Sequence, residues 1–192
     1  NCAKLDEVPY DFNRKRMTVL VSKENKHVMI SKGALLNILT ICSFTEALQG
    51  IIEIDQVKKS IIQQFEELSQ QGLHVLGISY KEIDSGVIKK IDETSMTFLG
   101  FLVLHDPLKD GIANTIKSLK NLGISLKVIT GDNKLVASSL GSQVGLSNSK
   151  ILTGIELAHL SDEALYQQVN NVDIFAEVEP NQKERIVMAL KI

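Results

Sequence analysis

Two rhythms in the sequence predict an α/β chain made of two parts. Up to about Asp106, short apolar or β-branched runs come in pairs around polar turns, with helical patterns between them, as in an antiparallel α+β unit. Beyond Asp106 helices and strands alternate, which implies a parallel sheet wrapped by helices in a doubly wound arrangement. The boundary divides the chain into residues 1–104 and 105–192.

In the first part, residues 17–21 and 27–31 flank Lys23-Glu24-Asn25-Lys26 and read as a hairpin. Lys32-Gly33 leads into a helix over 34–42, which carries leucine and isoleucine at helical spacing. A longer helix over 56–71 has Val57, Ile61, Ile62, Phe65 and Leu68 as its apolar stripe, and Gly72 stops it. Residues 73–80 and 96–104 read as two more strands, joined by a polar stretch containing Asp84-Ser85-Gly86. In the second part the expected order is helix 111–121, strand 125–129, helix 134–144, a short strand near Ile151, helix 162–169, strand 173–176 and helix 181–191.

With 192 residues, 44% hydrophobic and 23% charged, the chain can bury one good core or two small ones. A net charge of −2 without a long basic run argues against nucleic acid as a partner. Cys2 and Cys42 form no close pair and have no neighbouring histidines, so neither a zinc site nor a disulfide framework is indicated, and a reducing compartment fits. The longest apolar run, 97–104, is too short to span a bilayer, and the N-terminus lacks a signal-peptide pattern. If the parent protein is embedded in a membrane, this stretch is expected to be a soluble part that does not touch it.

The most informative segment is Lys-Val-Ile-Thr-Gly-Asp-Asn over 127–133, an apolar strand ending in a hydroxyl, a glycine and a carboxylate. Ligands of open α/β sheets sit at the carboxyl ends of strands, and a hydroxyl with a bare backbone amide can hold phosphate oxygens there. Lys183 follows in Glu-Pro-Asn-Gln-Lys-Glu-Arg-Ile-Val, where a fixed lysine can neutralise charge on a transferred phosphoryl group. Taken singly, Thr130-Gly131-Asp132-Asn133 is equally a capped strand-to-helix turn and Lys183 a solvated lysine. Their placement after successive strands is what joins them into half of a phosphoryl-transfer site.

In the first part, Pro9-Tyr10-Asp11-Phe12-Asn13-Arg14-Lys15-Arg16-Met17 combines an aromatic ring with three cations. Stacking plus phosphate neutralisation suits a nucleotide, although the plain alternative is a core phenylalanine beside a wet edge. Lys32 ends a strand next to Gly33, where a flat base can approach the backbone without a Cβ in the way. Asp106 in Asp-Pro-Leu-Lys stands at the junction, either accepting a backbone or ribose hydrogen bond or simply forming a linker turn. His74 has no second ligand in view, so no metal is assigned.

The ordered set Phe12-Asn-Arg-Lys-Arg-Met, Lys32-Gly-Ala, Gly72-Leu-His-Val-Leu, Asp106-Pro-Leu-Lys, Thr130-Gly-Asp-Asn and Val178-Glu-Pro-Asn-Gln-Lys-Glu-Arg-Ile-Val resembles P-type cation-transporting ATPases along essentially the whole chain. The stretches 9–19 and 152–165 look most like the magnesium-translocating branch. The resemblance implies a partial antiparallel α+β nucleotide-binding (N) domain, then part of a Rossmann-like phosphorylation (P) domain with the haloacid-dehalogenase fold. It implies that Phe12 stacks on adenine, that Lys32 lines the adenine pocket beside Gly33, and that Arg14 approaches the phosphates. His74 stands where the family usually carries an arginine of the nucleotide site. Thr130 and Gly131 would hold the phosphoryl group, Asp132 and Asp106 would steady the nucleotide or hinge, and Lys183 would pair with the phosphate on the acceptor aspartate. The implied ligands are ATP and Mg2+, the metal arriving with ATP, and the implied partners are the transmembrane and actuator domains of the same parent.

Histidine at 74 and Glu177, where the family often carries arginine, imply weaker nucleotide binding. The Asp-Lys-Thr-Gly-Thr segment bearing the acceptor aspartate and the magnesium-binding Gly-Asp-Gly-Val-Asn-Asp segment are expected before residue 1 and after Ile192. Phosphoryl transfer is therefore not expected on these residues alone. Two rival readings are a soluble haloacid-dehalogenase-type phosphatase whose first half is a cap, and a catalytically silent nucleotide-sensing module. The phosphatase requires an Asp-x-Asp pair at a strand end, which is not seen in the sequence.

Overall fold

The computed structural model describes residues 2–24, 26–146 and 149–191, with the Lys23 side chain left aside. It divides into two compact units, Asn1–Phe65 with Val75–Leu104, and Glu66–His74 with His105–Ile192.

The first unit is built on strands β1 (Cys2–Asp11), β2 (Arg16–Lys23) and β3 (Lys26–Ala34), followed by the short helix α1 (Leu35–Leu39). Strands β4 (Cys42–Ala47) and β5 (Gly50–Glu53), a 3-10 turn at Ile54–Gln56 and helix α2 (Lys58–Gln70), whose residues from Glu66 onward belong to the second unit, come next. Strand β6 (His74–Ile83), a 3-10 turn at Lys90–Asp92 and strand β7 (Met96–Leu104) complete it. The seven strands lie in the order β1-β2-β3-β6-β7-β4-β5. Strands β1, β2, β3 and β6 pair antiparallel in turn, as do β4 and β5, whereas β4 runs parallel to β7.

The hairpin of β2 and β3 forms where the alternation predicts it. Its inward positions alternate strictly, with Thr18 and Leu20 on β2 facing Ser31 and Met29 on β3, all fully buried. Leu35 and Ile38 of α1 and Met96 of β7 join the same core, and Val57, just before α2, packs against it with Ile62 and Phe65 of α2. The helix expected over 34–42 is shorter than its leucine spacing implies. It ends at Leu39 because Cys42 already pairs with Met96, so a sheet partner more than fifty residues away overrides the local periodicity.

The second unit adds helix α3 (Ile112–Asn121), strand β8 (Val128–Ile129), helix α4 (Lys134–Gln143) and strand β9 (Ile151–Thr153). Helices α5 (Gly154–Ala158) and α6 (Asp162–Gln168), strand β10 (Ile174–Ala176) and helix α7 (Pro180–Ala189) follow. The strands form one parallel sheet in the order β8-β10-β9. Ile174, Phe175 and Ala176 in the central strand have no exposed surface, as a strand covered on both faces requires. Leu157, Leu165, Val169 and Ile186 pack around Phe175. The strand expected over 125–129 narrows to Val128–Ile129. The architecture is thus mixed α/β, with a large, mostly antiparallel sheet and a small parallel one.

Candidate functional site

In the first unit the residues around Phe12 form a tight turn between β1 and β2. Asp11 organises it: one carboxylate oxygen accepts the N–H groups of Asn13 at 2.9 Å and Arg14 at 3.3 Å, and the other accepts Lys90 Nζ at 2.9 Å. The Lys90 ammonium, then the two backbone N–H groups, hold the Asp11 carboxyl well below the usual carboxylate range. Lys15 closes the turn in a left-handed conformation, φ +50°. Phe12 itself stands 65% exposed, with Tyr10 edge-on at 5.3 Å between ring centroids. A phenylalanine in that setting is presented to solvent, not packed in a core.

Register brings Lys32 and Gly33 beside this turn. Gly33 pairs with Arg16, and the Lys15 carbonyl accepts the N–H of Ala34 at 2.9 Å. A Cβ on Gly33 would lie 2.3 Å from that carbonyl oxygen and 2.6 Å from Arg16 Cβ, so the chain's own turn occupies the space a side chain would need. Lys32 is exposed on the opposite face of β3, level with Met17 and Ile78. Its ammonium has no hydrogen bond or ion pair among the described residues.

Arg14 does not reach into solvent. One guanidinium nitrogen donates to both oxygens of Glu93, at 2.6 and 2.7 Å, and another to the Pro9 carbonyl at 2.8 Å. Arg16 Nε donates to the same carboxylate at 2.8 Å, and the Thr18 hydroxyl donates at 2.6 Å. Burial alone would raise the Glu93 pKa, but these donors outweigh it and hold the carboxyl below its ordinary value. Nothing local in the sequence marks Glu93, which lies in the polar stretch before β7 and meets the arginines only through the fold.

In the second unit, Thr130, Gly131 and Asp132 leave β8 at the carboxyl edge of the parallel sheet. The Thr130 hydroxyl donates to Asp132 Oδ2 at 2.7 Å and accepts the Asp132 N–H at 3.1 Å. His74 Nδ1 stands 3.2 Å from the other oxygen, so hydroxyl, carboxylate and imidazole form one chain. The next strand end is tied to this turn: Val178 N–H donates to the Thr130 carbonyl at 3.0 Å and Glu177 N–H to the Asp132 carbonyl at 2.8 Å. Helix α7 starts from that same edge and carries Lys183, exposed and without a side-chain partner among the described residues. Gly131 is exposed, and a Cβ there would meet only the Val178 carbonyl at 3.6 Å.

Asn133 caps α4, accepting the N–H groups of Leu135 and Val136 at 3.0 Å each. Glu177, in a left-handed conformation with φ +58°, accepts the N–H of Lys134 at 3.1 Å. Its carboxylate is thereby engaged at a helix start, where negative charge is favoured. Asp106 is exposed in the segment before α3 and has no hydrogen-bond partner among the described residues. Among those residues no three His, Cys, Asp or Glu side chains converge as metal ligands, and no helix is long and apolar enough to cross a membrane.

The first unit thus presents an exposed aromatic ring and an exposed lysine, and the second a hydroxyl-glycine turn at a strand end and an exposed lysine, both lysines without a side-chain partner among the described residues. Residues 1–111 match the family model described as P-type ATPase, cytoplasmic domain N. The chain is 35% identical over 192 aligned residues to "Magnesium-transporting ATPase, P-type 1" of Salmonella typhimurium and equally to that of Escherichia coli K12, covering 98% of this chain and 21% of each relative. It is 30% identical to "Calcium-transporting ATPase 1" of Bacillus cereus, covering 98% of this chain and 22% of that protein. The chain therefore spans about a fifth of the length of these relatives. By the match over its first 111 residues, the chain belongs to the P-type ATPase family, in the cytoplasmic domain N class.

Proposed function

We propose that these residues recognise ATP and help to cradle its transferred phosphoryl group within an integral membrane pump, one that forms an aspartyl-phosphate intermediate to move a cation. The first unit takes the nucleobase. Phe12 offers a face for stacking, and Lys32 offers a charge at the end of β3 next to Gly33. The observation that carries this reading is Phe12: 65% exposed, yet held at the tip of a turn bonded on both sides.

The second unit, on this reading, is the phosphorylation domain. Thr130 and the Gly131 N–H receive phosphoryl oxygens, Asp132 orients the Thr130 hydroxyl, and Lys183 offsets charge on the transferred group. His74 supports Asp132, and Asp106 serves the hinge or ribose. Magnesium enters with ATP as part of the substrate. The 192 residues contain no Asp-Lys-Thr-Gly run, so by themselves they bind ATP without turning it over. The transported cation is Mg2+, a reading favoured by relatives named for magnesium at 35% identity against relatives named for calcium at 30% and 31%.

Amide shifts recorded during ATP titration test the pocket. Responses are expected at Phe12, Lys32 and Gly33, and silence there at millimolar nucleotide, with the spectrum otherwise native, refutes it. For the ion, ATP-dependent uptake by the longer protein that contains this stretch is expected with Mg2+, and uptake of Ca2+ alone refutes the assignment.

A further inference from the structure

The segment before β7 is strapped at three places to strand β1 and the Phe12 turn that follows it. The Asp6 carboxylate accepts the Ile88 N–H at 2.9 Å, Lys90 Nζ reaches Asp11 at 2.9 Å, and Glu93 takes both Arg14 and Arg16. Glu93 dominates the set, because its side chain has no exposed surface and its carboxylate is met by two guanidinium groups and a hydroxyl. The Thr18 hydroxyl continues the network to Ser31 at 2.7 Å, within the paired strands β2 and β3. A carboxylate buried so completely is tolerated only because each lone pair finds a donor, and in return it fixes the donors in place.

Arg14 and Arg16 flank Lys15, the left-handed residue that closes the turn, so the network clamps both sides of the bend that lifts Phe12 into solvent. We infer that Glu93 is a positioning residue for nucleotide binding, acting through Arg14 and Arg16 to hold the Phe12 ring where a base can stack on it. Arg14 then works as part of the clamp, not as a ligand of the phosphates: its side chain is 15% exposed, Nη1 donates to Glu93 and Nη2 to the Pro9 carbonyl. The charge near the base comes from Lys32, which is exposed and unpaired among the described residues. This inference rests on the base-stacking role proposed for Phe12.

The test compares ATP with adenosine on the 192-residue chain, using Glu93→Gln, Arg14→Gln and Phe12→Ala singly, and each clamp variant combined with Phe12→Ala. Dissociation constants come from calorimetry, and amide spectra report folding and the state of the turn. Phe12→Ala should weaken both ligands by about tenfold, the scale of one base–aromatic stack. Glu93→Gln and Arg14→Gln should each weaken ATP and adenosine by the same factor, shift the amides of residues 11–16, and have no further effect once Phe12 is alanine.

If Arg14→Gln weakens ATP but spares adenosine, Arg14 is a phosphate ligand and the inference is overturned. Losses from Glu93→Gln that add in full to those of Phe12→Ala overturn it too, since Glu93 would then act elsewhere. Should Glu93→Gln fail to fold, Arg14→Gln decides the matter, because it leaves Glu93 bonded to Arg16 and Thr18. A Phe12→Ala variant that binds both ligands normally instead removes the base-stacking role itself.

Discussion

Gly131 and Gly154 follow the ends of the two outer strands of the parallel sheet, β8 and β9, yet they are glycine for different reasons. A Cβ on Gly154 would lie 2.3 Å from the Glu177 carbonyl oxygen and 2.7 Å from Gln182 Oε1, whereas one on Gly131 would meet a single atom at ordinary contact distance. Gly154→Ala should therefore destabilise the second unit by about 1–3 kcal/mol through overpacking, seen as a lower thermal midpoint. Gly131→Ala should leave that midpoint almost unchanged. A loss of phosphate affinity in the Gly131 variant would then report the site and not the fold.

Glu93 supplies a pH prediction at the same scale. Its folded pKa lies below its ordinary 4.5, so the unfolded chain takes up this proton first as pH falls. The stability it contributes is complete above the unfolded value and is lost as pH drops through the folded one. Denaturant titrations below about pH 5 should show stability falling with acid in the parent and less steeply in Glu93→Gln. An equal slope in both would contradict the direction of the shift. Residues such as Thr130 and Lys183 could be singled out in the sequence because their chemistry is local to a strand end. Glu93 could not, because both arginines that define it lie more than seventy positions away.

Elements were legible where local pattern and tertiary partner agree. Helix α2 carries its apolar stripe in the sequence and stops before Gly72, whose φ of +79° suits the glycine. Strand β1 gave no such signal: it is an edge strand, mostly exposed, with Pro9 beside a register shift against β2, where a missing N–H is harmless. Strands β4 and β5 were hidden for a different reason, since β4 finds its partner in β7 and only then turns back on β5. Helix α5 was readable in principle from Thr153-Gly-Ile-Glu156, a capping box in which Glu156 accepts the Thr153 N–H at 2.7 Å. Asn133 offers a direct check on capping. Asn133→Ala removes the acceptor of two N–H groups at the start of α4 and should cost about 1 kcal/mol in a chemical-denaturation measurement.

At the scale of the whole molecule, the change from paired strands to alternating helices and strands in the sequence coincides with two sheets of different construction, one seven-stranded and mostly antiparallel, the other three-stranded and parallel. That change of rhythm is a statement about connection length, since parallel neighbours need a crossover and antiparallel ones need only a turn, and for that reason it survives in sequence. Ligand linkage extends the argument to the chain as a binding molecule. A nucleotide that binds only the folded state at a hundred times its dissociation constant adds about 2.7 kcal/mol of stability. If the base is held by the first unit, adenosine and ATP should both slow amide exchange at the Phe12 turn and along β3, the protection scaling with occupancy. On the proposed reading, recovered ATP should remain intact, with no phosphate released above background, because binding energy alone breaks no bond. Protection confined to the second unit, or steady phosphate release by the 192 residues, would reverse the assignment of base recognition or of the missing acceptor respectively.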